Sequence, residues 1–220
     1  MRNIFVCLAL LCGLGMAAFA TSKTRSNRPP KVKSTDDQVD ADTRLCRDAA
    51  RILVAGFAHD LKTDLIAAMK KGGTANAVSV CGDRAPQIAA DHSEGGWTIH
   101  RVSDRNRNPN DAPDSLEQAM LADFSSARGK NRALFKDVWT EKDSVKTYHF
   151  FEPIVTQDFC LRCHGSKESM DASVATAISA KYPNDLATGY SEGEVRGMFV
   201  VETKWPEGRA QALELTGRSH

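Results

Sequence analysis

A charge excess of one sign, internal repeats and a second set of closely spaced metal ligands are all missing from this sequence of 220 residues. Its 29 lysines and arginines almost match its 28 aspartates and glutamates, so electrostatic capture of nucleic acid or of a membrane surface is not expected. No segment recurs at a fixed period, which argues against a repeat architecture. The length therefore suits one domain with a single core.

The one long apolar run lies at the N-terminus and is too short to span a membrane. Arg2 precedes the apolar residues 4–14, and Ala18-Phe19-Ala20 forms a small-x-small site before Thr21. This pattern is typical of a signal peptide that is removed on export. We therefore predict a signal peptide over residues 1–20 and a periplasmic or secreted protein with no membrane span after cleavage.

The rest of the chain divides into three parts by composition. Residues 21–37 are rich in Ser, Thr, Lys, Arg and Pro and have almost no apolar side chains, which predicts a flexible leader. Residues 38–207 are expected to form the folded domain, and residues 208–220 a C-terminal tail. Cys12 could indicate a lipoprotein, in which this cysteine would carry the lipid anchor. However, Leu11 before it is bulkier than the small residue that normally precedes a lipid-modified cysteine, so a lipid anchor is not favoured.

The most specific motif is the run Cys160-Leu161-Arg162-Cys163-His164-Gly165. A Cys-x-x-Cys pair alone also suits a disulfide, half of a zinc site or a thioredoxin-like motif. The adjacent histidine disfavours all three, and neither Cys46 nor Cys81 has a Cys or His partner at zinc-site spacing. Two thiols at this spacing can add to the two vinyl groups of one porphyrin, with the next imidazole against the iron. The motif therefore predicts one covalently bound haem c.

Cys46 and Cys81 are the cysteines that remain once the signal peptide and the motif are set aside. In an oxidising compartment they could form a disulfide, or one of them could bind the iron. Taken alone, Cys81 lies among apolar neighbours on a predicted helix, where a small buried hydrophobe is the ordinary role of a cysteine.

The apolar pattern predicts helices first and strands later. Apolar residues recur every three or four positions over residues 40–71, which predicts a long amphipathic helix that ends at Gly72-Gly73. A second helix is expected from Thr74, with a break or kink near Pro86. A short helix is predicted over residues 115–124, and strands are predicted over residues 97–102, 133–139, 147–155 and 197–203. This order predicts an α+β domain with an antiparallel sheet.

The place of the Cys-x-x-Cys-His motif in the chain differs from that in the familiar small cytochromes. Class I cytochromes carry the motif near the N-terminus, and the four-helix-bundle type carries it near the end of the last helix. Here the motif follows one predicted strand and precedes another. Neither cytochrome pattern fits.

Short motifs follow one another in a characteristic order over about residues 40–205. They are Gly72-Gly73 with residues 77–81, Ala85-Pro86-Gln87-Ile88, Trp97-Thr98-Ile99-His100-Arg101-Val102-Ser103, Arg107-Asn108-Pro109-Asn110 with Pro113-Asp114 and Glu117, Glu152-Pro153-Ile154 before the Cys-x-x-Cys-His motif, and Tyr182-Pro183-Asn184-Asp185 with Gly189-Tyr190, Gly193 and Gly197. Together they resemble the "Tll"-type family of c-type haem sensor domains. The resemblance implies a PAS-like antiparallel sheet with preceding long N-terminal helices.

The resemblance also implies two iron ligands. In that family the iron is held by the histidine of the attachment motif and by a cysteine in the helix before the Ala-Pro pair. The matching positions are His164 for the proximal ligand and Cys81 for the distal ligand. Ferric iron stabilises a thiolate, which agrees with this assignment. Competing distal ligands are His92, His100 and His149, and also Met69, Met120 and Met198, whose apolar positions are more typical of core residues.

Three arginines and one cysteine complete the set of candidate residues. Arg101, Arg105 and Arg107 suit haem propionates because a guanidinium pairs with a carboxylate through two hydrogen bonds, and they equally suit a solvated basic loop. Cys46 departs from the family pattern. Its open roles are a buried helix residue, an alternate ligand, or a thiol that links two copies in a homodimer.

These residues predict an exported haem protein that acts as a redox or diatomic-gas sensor or as a low-potential electron carrier. Thiolate ligation stabilises ferric iron and lowers its potential. The expected partners are the haem and either a diatomic gas or a redox partner protein. The alternative is a peroxidase-like oxidoreductase, which needs an open distal position and an acid-base group such as His100 or His149. A role without enzymatic turnover is favoured.

Overall fold

The structure, a computed structural model, describes residues 35–127 and 133–218, with side chains from Val39 onwards. The predicted signal peptide and residues 21–34 of the predicted leader lie outside these residues. In the described part of the chain, no helix is both long enough and apolar enough to cross a membrane.

The first helix, α1 (Thr35–Ser79), is interrupted where the sequence predicts its end. Gly72 and Gly73 leave helical geometry, and Gly73 has a φ of 74° and a ψ of −178°. A positive φ of this kind is readily adopted only by glycine. The helix begins at Thr35, before the predicted start at residue 40, and a second helical segment follows the two glycines.

A single π-helical turn, Val80–Arg84, joins α1 to the short helix α2 (Ala85–Asp91). Pro86 lies in the first turn of α2, where its missing N–H costs no helical hydrogen bond. The break predicted near Pro86 is confirmed. Isolated π turns are rare and are frequently found at functional sites, and this one carries Cys81.

Four strands form one antiparallel sheet in the order β1-β4-β3-β2. They are β1 (Trp97–Val102), β2 (Lys136–Lys142), β3 (Val145–Val155) and β4 (Val195–Trp205). The remaining helices are α3 (Ser115–Ser126), α4 (Leu161–His164), α5 (Ala172–Lys181) and α6 (Arg209–Leu215). The predicted α+β class, with an antiparallel sheet after a long N-terminal helix, is confirmed.

Both faces of the sheet are covered. Side chains alternate between faces along a strand. In β4, Val201 packs in the cluster formed with α1, α2 and α6, whereas its neighbour Val200 packs in the cluster formed with α3. Phe150 and Phe151 of β3 divide between the two clusters in the same way.

Cys46 belongs to the core between α1 and the sheet. It is fully buried, and burial together with nearby Asp42 raises the pKa of its thiol to about 12. A buried, protonated thiol is a poor nucleophile and a poor metal ligand. Of the three roles open from the sequence, the structure fits the buried helix residue.

Three helices are absent from the sequence-based expectation, the four-residue α4 and two longer ones. Helix α5 (Ala172–Lys181) follows the haem-type motif, and α6 (Arg209–Leu215) lies within the segment expected to be a C-terminal tail. Ala212 of α6 is fully buried against the core. Short helices such as these are stabilised mainly by tertiary packing, so their own sequences carry little periodic signal.

Candidate functional site

The Cys-x-x-Cys-His motif folds as a tight helical turn. A 3₁₀ turn, Asp158–Cys160, leads into α4 (Leu161–His164). In helical geometry, positions i, i+3 and i+4 share a face, and Cys160, Cys163 and His164 have this spacing. Gly165 ends the turn, and a Cβ atom there would lie 2.6 Å from the carbonyl oxygen of Leu161. The local fold therefore requires a glycine after the histidine.

The imidazole of His164 is oriented by a backbone hydrogen bond. Its Nδ1 lies 2.7 Å from the carbonyl oxygen of Ala187, and a carbonyl can only accept, so Nδ1 carries the proton. Burial, followed by the positive charges of Arg196 and Arg107, holds the pKa of His164 well below its usual value. The ring is neutral at neutral pH, which leaves the Nε2 lone pair free to bind a metal.

A buried ion pair holds the loop that orients His164. Arg107 donates from Nε and Nη2 to the carboxylate of Asp185 at 3.0 and 3.1 Å. Its Nη2 also donates to the carbonyl oxygens of Cys163 at 2.7 Å and Ala187 at 3.3 Å. The two side chains are only 8% and 9% exposed. Arg107 thus ties the motif directly to the carbonyl group that orients its histidine.

Arg105 supports the same loop from another side. It donates from Nη2 to the carbonyl oxygen of Thr188, and its guanidinium lies 3.9 Å from the ring centroid of Tyr190. The ring of Tyr190 in turn meets the edge of His164. Arg105 and Arg107, for which the sequence left open a propionate-binding role and a solvated basic loop, are both hydrogen-bonded to the protein around the histidine.

A cavity of about 320 Å³ opens between α1 and the sheet, next to the motif. Its volume lies within the range of roughly 300–1,000 Å³ that is typical of small-molecule sites. Leu61, Leu65 and Met69 of α1 line it, although their helical spacing alone suggests core residues. The apolar face of α1 therefore serves two purposes, packing against the sheet in its first half and lining the cavity in its second half.

The cavity brings together most of the residues predicted from the sequence. Lining it are Cys81, Arg101, Arg107, Cys160, Cys163 and His164. Arg105 instead lines an adjoining void of about 40 Å³, which it shares with Cys81 and His164. Cys81 reaches the cavity because the chain turns at Gly72-Gly73, which brings the π turn to face the motif.

The competing histidines line neither the cavity nor the adjoining void. Each is hydrogen-bonded to a carboxylate: His92 to Asp60 at 2.8 Å, His100 to Glu117 at 2.7 Å and His149 to Glu202 at 2.6 Å. Glu117 also completes a capping box with Asp114 at the start of α3, which gives its carboxylate a structural role. These contacts remove the histidines from the competing ligands, whereas Met69 lines the cavity together with Cys81 and His164.

Arg196 is a cavity residue that the sequence did not reveal. Ile154 pairs with Gly197 and Val155 with Val195, so Arg196 is the extra residue of a β-bulge in β4. Bulges commonly redirect a side chain next to a site. The Nε of Arg196 is buried and has no hydrogen-bond partner in the described part of the chain. Burial, followed by the neighbouring positive charge of Arg101, lowers the pKa of Arg196.

The donor set of the cavity fits a haem c. Cys160 and Cys163 would supply the thioether links, and His164 and Cys81 the two axial ligands. Apolar walls suit the porphyrin, and the buried Nε of Arg196, unpaired in the described part of the chain and with Arg101 nearby, suits a carboxylate. A group of three or more His, Cys, Asp or Glu side chains that could hold a metal by themselves is not found among residues 35–127 and 133–218.

Comparison with known proteins identifies the family. A family model described as Tll0287-like matches residues 24–203. The chain belongs to the Tll0287-like family. The resemblance inferred from the sequence is therefore confirmed. A solved structure titled "Crystal structure of the cyanobacterial heme-protein Tll0287" is similar at 29% identity, covering 70% of this chain and 94% of that chain, with a TM-score of 0.49. None of the curated proteins matches significantly.

In this Tll0287-like chain, replacing Arg107 with Ala is expected to lower the free energy of unfolding by about 3–5 kcal/mol, because it leaves the carboxylate of Asp185 buried and unpaired. Denaturant titration followed by circular dichroism measures the loss. The matched control is Arg84→Ala, which breaks an exposed pair with Asp64 and should cost about 1 kcal/mol or less. Equal losses in the two variants would contradict the stabilising role of the buried ion pair between Arg107 and Asp185.

Proposed function

We propose that this protein is an exported c-type haem protein in which His164 and Cys81 bind the iron, and that it acts as a redox or diatomic-gas sensor or as a low-potential electron carrier. The observation that carries the proposal is the shared cavity, which is lined by both cysteines of the motif, by a neutral histidine and by a distant cysteine. When bound, the haem supplies a redox-active iron. Export rests on the signal-peptide pattern of residues 1–20.

The two axial ligands differ in how firmly the protein holds them. The imidazole of His164 is hydrogen-bonded to the carbonyl oxygen of Ala187, and the Arg107–Asp185 ion pair holds this carbonyl group in place. Cys81 is carried by a single π turn between a glycine break and Pro86. A thiolate binds ferric iron more strongly than ferrous iron. Of the two residues that would hold the iron, Cys81 would therefore be the more weakly bound after reduction, and the π turn that carries it is the element that would move.

The peroxidase-like alternative is less well supported by the side chains. Peroxidase chemistry requires an acid-base group at an open distal position. His100 and His149, the groups named for that role, are engaged with Glu117 and Glu202 and do not line the cavity. Cys81, in contrast, lines the cavity.

Covalent attachment is tested by mass spectrometry under denaturing conditions. Protein matured with a c-type haem assembly system should have the mass of the polypeptide plus one haem, and the haem should resist extraction with acidified acetone. Replacing Cys160 and Cys163 with Ser should make the haem extractable. Release of all haem from the unmodified protein would contradict the proposal.

The distal ligand is tested by replacing Cys81 with Ala. The ferric protein should lose the low-spin thiolate signature in its EPR spectrum, because the other cysteines of the described residues are either buried in the core (Cys46) or part of the attachment motif (Cys160 and Cys163). Cys46→Ala is the matched control, since this thiol is buried in the core and should leave the spectrum unchanged. Loss of the signature in Cys46→Ala and retention in Cys81→Ala would reverse the assignment.

Titration with CO distinguishes a ligand-exchange sensor from an electron carrier. In the ferrous protein the weakened bond to Cys81 should open the distal site, so CO should bind at neutral pH. Absorption spectroscopy measures the occupancy. A ferrous protein that does not bind CO near neutral pH would favour simple electron transfer and would contradict a sensor that works by ligand exchange.

A further inference from the structure

The hydroxyl group of Tyr182 is buried and has no hydrogen-bond partner in the described part of the chain. Its ring is firmly placed: Tyr182 is 8% exposed and packs with Val78, Val174 and Ile178. Its backbone N–H donates to the carbonyl oxygen of Ile178 at 2.7 Å and ends α5. Buried hydroxyl groups are normally paired, so one fixed in place without a partner indicates a missing acceptor.

The phenol oxygen reaches into the π turn that carries Cys81. A Cβ atom on Gly82 would lie only 2.1 Å from this oxygen, so the approach requires a glycine immediately after the cysteine. Lys181 stabilises the contact between the end of α5 and the π turn, because it donates to both carboxylate oxygens of Asp83 at 2.7 Å. Two neighbouring residues at the end of α5 therefore hold this end against the turn.

Tyr182 and Cys81 also line the same void, the one of about 40 Å³ beside the cavity. The two side chains are not hydrogen-bonded to each other in this structure. A void needs roughly 10–15 Å³ to hold a water molecule, so this one has room for the side-chain movement that would bring the hydroxyl group to the sulfur. A phenol hydroxyl group carries a hydrogen and can act as a donor.

We propose that Tyr182 is a positioning residue that donates a hydrogen bond to the thiolate sulfur of Cys81. The proposal rests on the function proposed above, in which that sulfur binds the iron. A hydrogen bond withdraws electron density from a thiolate and weakens its donation to ferric iron, so it raises the reduction potential. Tyr182 thereby sets how readily Cys81 is released on reduction.

The test compares haem-loaded variants by redox titration with dithionite in the presence of mediators. Tyr182→Phe keeps the ring and removes the donor, so the potential should fall. At a fixed solution potential, the ferric-to-ferrous ratio should rise on the order of tenfold, as expected for one hydrogen bond to a charged group. The g-values of the low-spin ferric EPR signal should shift, while the signal stays of the thiolate type.

Tyr148→Phe is the matched control. It also removes a buried phenol hydroxyl, but one that donates to Asp137 and does not line the cavity, so the potential and g-values should equal those of the unmodified protein. Gly82→Ala is a second route to the same effect, because its new methyl group excludes the phenol oxygen. Combining Gly82→Ala with Tyr182→Phe should add nothing to either single shift.

The role of Tyr182 and the binding of iron by Cys81 are contradicted by different results. If Cys81→Ala abolishes the thiolate signal while Tyr182→Phe and Gly82→Ala both keep the unmodified potential and g-values, the role of Tyr182 is overturned and the ligand assignment stands. If Cys81→Ala leaves the thiolate signal intact, the ligand assignment is overturned, and the role of Tyr182 falls with it.

Discussion

The site depends first on the buried ion pair between Arg107 and Asp185. One guanidinium satisfies a carboxylate and two carbonyl groups, that of Cys163 within the motif and that of Ala187 against His164. Buried charges are tolerated only when they are paired and fully hydrogen-bonded, so this arrangement permits little movement. It fixes the tautomer of His164 and places both cysteines of the motif against one cavity. The remaining parts of the site are arranged around this rigid side.

The opposite side of the cavity is built from weaker elements. A glycine break redirects α1, and a single π turn then carries Cys81 back towards the motif. A rigid histidine facing a cysteine on an irregular turn is the asymmetry that a redox-dependent ligand exchange needs, since one ligand must stay while the other leaves. The contacts of Tyr182 and Lys181 with this turn then provide a means of adjusting how easily it moves.

The sequence predicted the elements of the fold and the identity of several cavity residues, because these depend on local spacing. Strand β1 over residues 97–102, the break at Gly72-Gly73 and the kink near Pro86 were all predictable in this way. The roles of the two cysteines and the histidine of the attachment motif could be predicted from their spacing. The role of Cys81 could be predicted only from the family resemblance.

The roles of the arginines were beyond the reach of the sequence. Arg105 and Arg107 occur in a polar loop, and only the tertiary structure shows that they hydrogen-bond to the backbone of the motif and of residues 187–188. Arg196 enters the cavity because of a register shift between β3 and β4, and strand periodicity gives no sign of where such a shift occurs. The unpaired hydroxyl of Tyr182 is likewise a consequence of packing.

The central claim is that one iron is bound between an imidazole and the sulfur of Cys81. X-ray absorption spectroscopy at the iron edge tests it most directly, because sulfur and nitrogen scatter at different distances and strengths. The account predicts a sulfur scatterer among nitrogen ligands in the ferric protein, and its disappearance in Cys81→Ala. A ferric spectrum that contains only nitrogen or oxygen ligands would contradict the account.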